Sequence, residues 1–140
     1  IEIMREPARR KRIRLVERNQ NMLPPVSADR GLLTKAIMHL VENAVKYSPE
    51  RSSVIISTLM DTEFLNVEVE DRGYGIPTEE QEKIWTKFYR IARDGHDKEE
   101  ESTGLGLSVV KEIMQKHRGD AQVVSEVGRG SRFRLRIPRL

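Results

Sequence analysis

The chain has 140 residues, of which 37% are apolar and 34% are charged, and its formal net charge is +3 at pH 7. This length suits one domain with one core, and the balanced charge argues against an intrinsically disordered chain. The absence of cysteine excludes disulfides and thiolate metal sites, and no apolar run approaches the ~20 residues that a membrane-spanning helix needs.

The densest basic run, residues 9–14, predicts an edge strand with one solvated face, because Ile13 and Leu15 alternate with Arg12, Arg14 and Val16. Such a run can also contact phosphate backbones or anionic lipid. Glutamates close to the run favour the solvated edge, so we expect this domain to contact neither nucleic acid nor a membrane.

Residues 32–45 predict an amphipathic helix with Asp29 as its cap. Its apolar stripe consists of Leu33, Ile37, Leu40, Val41 and Ala44. Beside this stripe, His39, Asn43 and Lys46 recur at i, i+4 and i+7 and line one polar ridge. Asparagine offers an oxygen to a hard cation such as Mg²⁺, and lysine can neutralise phosphates. Taken singly, each of these residues also suits an ordinary surface position.

Two strands are predicted next, "SVIISTLM" and "LNVEVED", and the second leads into "EDRGYGIP" at residues 70–77. Gly73 and Gly75 allow a sharp turn and the close approach of a flat ligand, although DxGxG alone is common in turns. A carboxylate pointing inward at Asp71 needs a hydrogen-bond donor. The alternatives for that donor are an adenine amino group and the loop's own backbone amides in an Asx turn.

A second helix is predicted behind Pro77, where Thr78 and Gln81 form a capping-box pair. Its apolar stripe consists of Ile84, Phe88 and Ile91. The polar cluster "GHDKEEES" at residues 95–102 is typical of a mobile loop.

Gly104 and Gly106 lie in "STGLGLS", directly before a third helix that begins near Leu107. Amides exposed at a helix N-terminus favour phosphate, because the helix dipole adds to their hydrogen bonds. The motif lacks the lysine of a Walker loop and an adjoining upstream strand, so neither the P-loop nor the Rossmann fingerprint fits. "AQVVSEV", "GRG" and "RFRLRIP" then predict a hairpin. This order of elements favours an α+β sandwich, with helices on one face of a mixed sheet.

Four ordered stretches resemble the N, G1, F and G2 boxes of sensor histidine kinase ATP-binding domains: "HLVENAVKYSPE", "VEVEDRGYGIP", "KIWTKFYRI" and "STGLGLSVVKEIMQKHRG". Those domains share a superfamily with gyrase, the heat-shock chaperone and mismatch-repair ATPases. The resemblance covers residues 29–138. It implies a two-layer α/β sandwich, in which a mixed, mostly antiparallel sheet of about five strands is covered on one face by about three helices. It also implies one domain over residues 1–140, with residues 1–12 as a linker remnant and residues 92–103 as a mobile ATP lid.

The ligand that the resemblance implies is ATP with Mg²⁺. Asn43 would coordinate the metal, Lys46 would contact the phosphates and Tyr47 would line the nucleotide pocket. Asp71 would accept a hydrogen of the adenine amino group. The residues implied to form the wall beside the base are Gly73, Gly75 and Ile76.

Phe88 and Arg90 are implied to anchor the lid, with Arg90 reaching the terminal phosphate. The residues implied to close over the phosphates are Gly104, Leu105, Gly106 and Leu107. The catalytic set is therefore Asn43, Lys46 and Arg90. His39 stands where the family usually has asparagine, and it could hydrogen-bond water near the metal or pack as a partly buried imidazole.

The implied activity is transfer of the γ-phosphoryl group of ATP to a histidine on a separate dimerisation domain, for relay to a response regulator. No stretch around His39, His96 or His117 resembles the family's phosphoacceptor box, so the nucleophile must come from another domain. We expect the isolated domain to be a monomer and its parent a homodimer. We expect a cytoplasmic location, with or without a membrane anchor on the parent.

Three alternatives share the fold. An anti-sigma-type serine kinase would need no phosphoacceptor histidine upstream. An ATP-driven conformational switch is less favoured, because position 39 lacks the glutamate that would act as general base for water. A degenerate nucleotide-binding module is also less favoured, because none of the four boxes is visibly broken.

Overall fold

The structure, a computed structural model, describes residues 9, 11–19, 26–86 and 106–139. Its strands are β1 (Arg14–Asn19), β2 (Ser53–Met60), β3 (Phe64–Asp71), β4 (Asp120–Glu126) and β5 (Gly130–Pro138). Its α-helices are α1 (Arg30–Tyr47) and α2 (Gly106–Lys116), and two 3₁₀ helices span Thr78–Glu80 and Lys83–Trp85. Within these ranges, no helix combines the length and the apolar character needed to cross a bilayer.

The strands form one five-stranded sheet in the order β1-β2-β3-β5-β4. β1 runs parallel to β2, and the other neighbouring pairs are antiparallel. β1 is an edge strand, as predicted, but it begins only at Arg14, and Lys11 and Arg12 of the basic run lie in a turn before it. β4 and β5 form the predicted hairpin. The predicted mixed, mostly antiparallel sheet is therefore confirmed.

Alternation along the strands gives the sheet one apolar and one charged face. Val67 pairs with Leu135 in the register of β3 and β5, and both are buried under the two α-helices. On the opposite face, Arg134 approaches the Glu68 carboxylate at 2.6 Å, and Arg132 approaches Glu70 at 3.1 Å. The period of two in "VEVED" and "RFRLRIP" thus places the core on one side and ion pairs on the other.

Both ends of α1 have identifiable caps. Asp29 Oδ1 accepts the N–H of Leu32 at 3.0 Å, so the predicted cap is confirmed and the helix begins at Arg30. At the other end, Lys11 Nζ donates to the carbonyls of Val45 and Lys46 at 3.0 and 2.7 Å. A cation at this position satisfies carbonyls that lack helical partners and interacts favourably with the helix dipole.

The C-terminal end of α2 is joined to the N-terminal end of α1 by His117. Its Nε2 accepts the backbone N–H of Asp29 at 2.9 Å, so the ring proton lies on Nδ1, which donates to the carbonyl of Ile113 at 2.8 Å. Gly119 then ends the turn through its N–H to the carbonyl of Met114, at 2.9 Å. The third predicted helix is confirmed, and it packs against α1.

The capping box predicted behind Pro77 is wrong. Pro77 itself occupies the N-cap position with a ψ of 142°, so Thr78 is the first residue of a 3₁₀ helix instead of its cap. The Gln81 amide donates to the carbonyls of Ile76 and Ser125 at 2.9 and 3.0 Å, and so it does not cap the helix. In the described part of this segment two 3₁₀ helices replace the predicted α-helix, while Phe88 and Ile91 lie outside the described residues.

The turn between β2 and β3 provides a test of stability against pH. Backbone N–H groups of Glu63 and Phe64 donate to Asp61 Oδ1 at 2.9 and 2.7 Å, and these bonds, with one from Asn66, hold the pKa of Asp61 below its usual value of 3.8. The stabilisation is therefore fully present above pH 3.8 and is lost as pH falls through the lowered pKa.

We expect Asp61→Asn to lower the stability at neutral pH and to lower it progressively less on acidification, as measured by urea unfolding at a series of pH values. Glu63→Gln, in the same exposed turn, is the matched control. An Asp61→Asn effect of constant size across the acidic range would contradict this role of the carboxylate.

Candidate functional site

The polar ridge of α1 lies at the margin of the core. His39, Asn43 and Lys46 are all half-buried, whereas Glu42 on the same helix is exposed. The neighbouring stripe includes the fully buried Leu40, so the ridge is partly shielded from water. Such shielding strengthens the interaction of lysine and amide groups with a charged ligand.

The start of α2 faces this ridge. A Cβ atom placed on Gly106 would lie 3.3 Å from Nδ1 of His39, so the glycine leaves room for the imidazole. The helix N-terminus contributes backbone N–H groups and a positive dipole end to the same region. Two motifs that are well separated in sequence thus meet here, while Gly104 and Leu105 lie outside the described residues.

The carboxylate of Asp71 lies at the C-terminal end of β3 and is 8% exposed. Its Oδ1 accepts the N–H of Gly73 at 2.8 Å, which is the Asx-turn alternative left open by the sequence. A carboxylate can accept several hydrogen bonds through its two oxygens, so this bond is compatible with a further donor such as an adenine amino group. Asp71 therefore stabilises the turn at Gly73 through this bond, independently of any contact with a base.

The loop that follows, residues 71–77, is called the base loop below. Gly73 brings it against the C-terminal end of α1, because a Cβ atom there would lie only 2.6 Å from the Tyr47 carbonyl oxygen. Tyr47 is half-buried, and the Lys46 ammonium lies 5.5 Å from the centre of its ring. The base loop and the polar ridge are therefore adjacent, as their joint assignment to one site requires.

Gly75 brings the base loop against the hairpin of β4 and β5. Its φ is +77°, and a Cβ atom there would overlap the Glu126 carbonyl. The N–H of Gly128 donates to the Tyr74 carbonyl at 2.9 Å. Both glycines of the motif thus lie against protein backbone. This close packing alone explains why the two positions are glycine, without any ligand. Ile76, the next residue, is buried.

Sequence reasoning missed Ser125. Its hydroxyl accepts the N–H of Ile76 at 2.7 Å, donates to the Gly130 carbonyl at 2.9 Å and lies 2.7 Å from the Ser131 hydroxyl. The Gln81 amide also donates to its backbone carbonyl. A serine in a strand carries no signal of such contacts, because they depend on how the hairpin packs against a loop far away in the chain.

Among the residues that the structure describes, no three His, Asp or Glu side chains are grouped so that they could hold a metal ion. A metal at this site would therefore take its other oxygens from a ligand or from water. Mg²⁺ behaves in this way when it bridges a protein to phosphates, and one amide oxygen from Asn43 suits that role. The remaining predicted lid residues, Phe88 and Arg90, lie outside the described residues.

Comparison with known sequences agrees with the resemblance. A profile of the family of histidine kinase-, DNA gyrase B- and HSP90-like ATPases matches residues 28–140. The chain is 38% identical over 117 residues to the adaptive-response sensory kinase SasA of Gloeothece citriformis, covering 83% of this chain and 29% of that protein. It is 39% identical over 113 residues to the sensor-like histidine kinase SenX3 of Mycolicibacterium smegmatis, covering 81% and 29%.

Solved structures agree as well. The nucleotide-free catalytic domain of histidine kinase ThkA superposes with a TM-score of 0.83 at 27% identity, over 99% of this chain and 88% of that one. Full-length ShkA in complex with AMPPNP gives a TM-score of 0.83 at 26% identity, over 99% of this chain and 28% of that one. The chain spans only 29% of the length of the two sensory kinases above.

The packing of Gly75 can be tested against a glycine of similar backbone conformation. Gly128 has a φ of +84° with nothing within 4 Å of the position of a Cβ atom, whereas Gly75 faces Glu126. We expect Gly128→Ala to cost about 1 kcal/mol for the left-handed conformation alone, and Gly75→Ala to cost about 1–3 kcal/mol more from overpacking. Urea unfolding of both variants measures the difference, and equal costs would show that the close backbone contact does not matter.

Proposed function

The chain belongs to the family of histidine kinase-, DNA gyrase B- and HSP90-like ATPases, and we propose that it binds ATP with Mg²⁺ and transfers the γ-phosphoryl group to a histidine on a separate domain. The observation that supports this most is the meeting of three motifs: the polar ridge of α1, the base loop and the start of α2. Since the chain covers 29% of its sensory-kinase relatives, the activity of the whole protein is part of the proposal.

On the base side, Asp71 accepts a hydrogen of the adenine amino group while its Oδ1 retains the bond from Gly73. The base lies against the backbone of Gly73 and Gly75 and the side chain of Ile76. The burial of Ile76 and Asp71 supports this placement, since a buried carboxylate selects a ligand that offers a donor. Tyr47 lines the same pocket from the end of α1.

On the phosphate side, Lys46 and the N–H groups at the start of α2 bind phosphate oxygens. Gly104, Leu105, Gly106 and Leu107 close over them, and Phe88 anchors the lid of residues 92–103. Asn43 holds Mg²⁺, which when bound neutralises charge on the phosphates. His39 contacts this region through its position beside Gly106.

In the transfer step, a nitrogen of the acceptor imidazole attacks the γ-phosphorus in line, and the bond from that phosphorus to the β–γ bridging oxygen breaks, so that ADP leaves. Lys46 and Arg90 stabilise negative charge on the transferred group and on the leaving oxygens. The attacking imidazole nitrogen has its own lone pair, so the domain needs no protein base and contributes mainly orientation.

The partners follow from this chemistry. The acceptor histidine lies on a dimerisation domain of the parent chain, and a response regulator takes the phosphoryl group from it. The isolated domain is a monomer and the parent a homodimer in this proposal. The proposed location of the domain is the cytoplasm, because ATP is available there. A chain without cysteine is compatible with that reducing compartment.

Transfer to histidine is favoured over the alternatives that share the fold. The relatives described above are a sensory kinase and a sensor-like histidine kinase, which supports neither a serine kinase of the anti-sigma type nor an ATP-driven switch. The histidine in place of glutamate at position 39 also argues against activation of water by that residue.

Asp71→Asn tests the base contact, because the amide oxygen can keep the bond from Gly73 while its NH₂ group cannot accept the adenine hydrogen. We expect ATP affinity to fall by about 2 kcal/mol, roughly 30-fold, as measured by calorimetry. Glu70→Gln, which affects only the neighbouring carboxylate on the charged face of the sheet, should leave binding unchanged. Normal ATP affinity in Asp71→Asn would refute the assignment.

Asn43→Ala tests the metal contact. We expect the variant to remain folded and to lose the dependence of ATP affinity on Mg²⁺, because the amide oxygen is the only protein ligand assigned to the ion. Calorimetric titrations of ATP with Mg²⁺ and with EDTA measure this dependence. Glu42→Ala, at the exposed neighbouring position of α1, is the matched control; the same Mg²⁺ dependence in both variants would remove Asn43 from the metal site.

A further inference from the structure

The hairpin of β4 and β5 would ordinarily be regarded as a structural element that closes the sheet. We propose that its Ser125 is a positioning residue for the base loop, so that the hairpin determines how well the site recognises the base of the nucleotide. This inference rests on the proposed nucleotide site. In the described structure, Ser125 makes no hydrogen bond to Asp71 or to the polar ridge of α1.

The hydroxyl of Ser125 uses its full hydrogen-bonding capacity. A serine hydroxyl has one proton to donate and two lone pairs. The Gly130 carbonyl takes the proton, and the N–H of Ile76 occupies one lone pair. The Ser131 hydroxyl must then be the donor in the remaining 2.7 Å contact. A group saturated in this way has one favoured orientation, and it fixes its partners accordingly.

Ile76 is held at both of its backbone polar groups. Its N–H donates to Ser125 Oγ at 2.7 Å, and its carbonyl accepts from the Gln81 amide at 2.9 Å. The same Gln81 nitrogen also donates to the Ser125 carbonyl at 3.0 Å. Ser125 and Gln81 therefore form a clamp, since they bond the N–H and the carbonyl of Ile76 at the C-terminal end of the base loop. Within residues 72–77, Ile76 has the only buried side chain.

The near end of the base loop is held by the same hairpin. Ser131 pairs with Asp71 in the register of β5 and β3. Gly130 has a φ of +118°, and a Cβ atom there would overlap the Asp71 carbonyl. Residues 125–131 thus contact both Asp71 and Ile76, which are the two positions assigned to the base. A change in the hairpin is expected to alter the distance between them.

The phosphate side does not depend on these contacts. His39, Asn43 and Lys46 are placed by α1, whose N-cap is Asp29 and whose last carbonyls accept from Lys11. Loss of the Ser125 hydroxyl leaves the N–H of Ile76 without its partner and frees the far end of the base loop, while the ridge keeps its support. The structure therefore implies a selective effect on the base, with phosphate binding unaffected.

The experiment measures the affinity of Ser125→Ala for ATP, for GTP and for inorganic tripolyphosphate, each with Mg²⁺. We expect ATP affinity to fall about tenfold, which is the scale of one hydrogen bond, tripolyphosphate affinity to stay unchanged and the preference for ATP over GTP to narrow. Ser125→Thr keeps the hydroxyl and should bind ATP like the wild type. Ser57→Ala, on β2 of the same sheet, is the matched control for removal of a serine hydroxyl.

Equal weakening of ATP and tripolyphosphate, or unchanged ATP affinity, would overturn the positioning role. If Ser125→Ala does not fold, Gln81→Met removes the other half of the clamp from a half-buried position, and the same selective loss is expected of it. A wild-type chain that binds no ATP would overturn the proposed function together with this inference. If the wild type binds ATP and Ser125→Ala binds it with the same affinity, the inference alone is overturned.

Discussion

Close backbone packing around residues 71–77 is the constraint that brings the end of α1, the end of β3 and the hairpin of β4 and β5 together at the site. Gly73 meets the carbonyl of Tyr47 at the end of α1, and Gly75 meets that of Glu126 in the hairpin. On the other side, Gly130 meets the carbonyl of Asp71. Any side chain at these positions would force backbone segments apart, so the absence of Cβ atoms is what allows a helix end, a strand end and a hairpin to share one small region.

The sheet and the two helices supply the rigid frame for this region. The apolar face of the sheet fixes α1 and α2 above it, and His117 ties the end of α2 to the start of α1. As a consequence, His39 on α1 and Gly106 on α2 face each other at the margin of the core. The charged face, with Glu68 and its arginine partners, stays on the opposite side and takes no part in the site.

Local pattern was sufficient for most of the fold. The alternation of Val67 and Val69 with glutamates predicted β3, and the spacing of Asp29 before the apolar stripe predicted the cap of α1. Both predictions were confirmed, because both patterns depend on neighbours along the chain. The capping box at Thr78 and Gln81 failed for the opposite reason. Thr78 and Gln81 have the spacing of a capping box, but the Gln81 amide donates to the carbonyls of Ile76 and Ser125, and Ser125 is 44 positions away.

The sequence by itself identified the family, through the resemblance of four ordered motifs, and it determined the strands and the two α-helices, because motifs, periodicity and caps are local properties. Only the tertiary structure decided how those motifs are held. It gave both glycines of "DRGYG" a packing role against Tyr47 and Glu126, and it gave Ser125 a saturated hydroxyl beside Ile76, 49 positions away. Such contacts depend on strand register and on the meeting of distant backbone segments, and the order of residues along the chain does not display either of them.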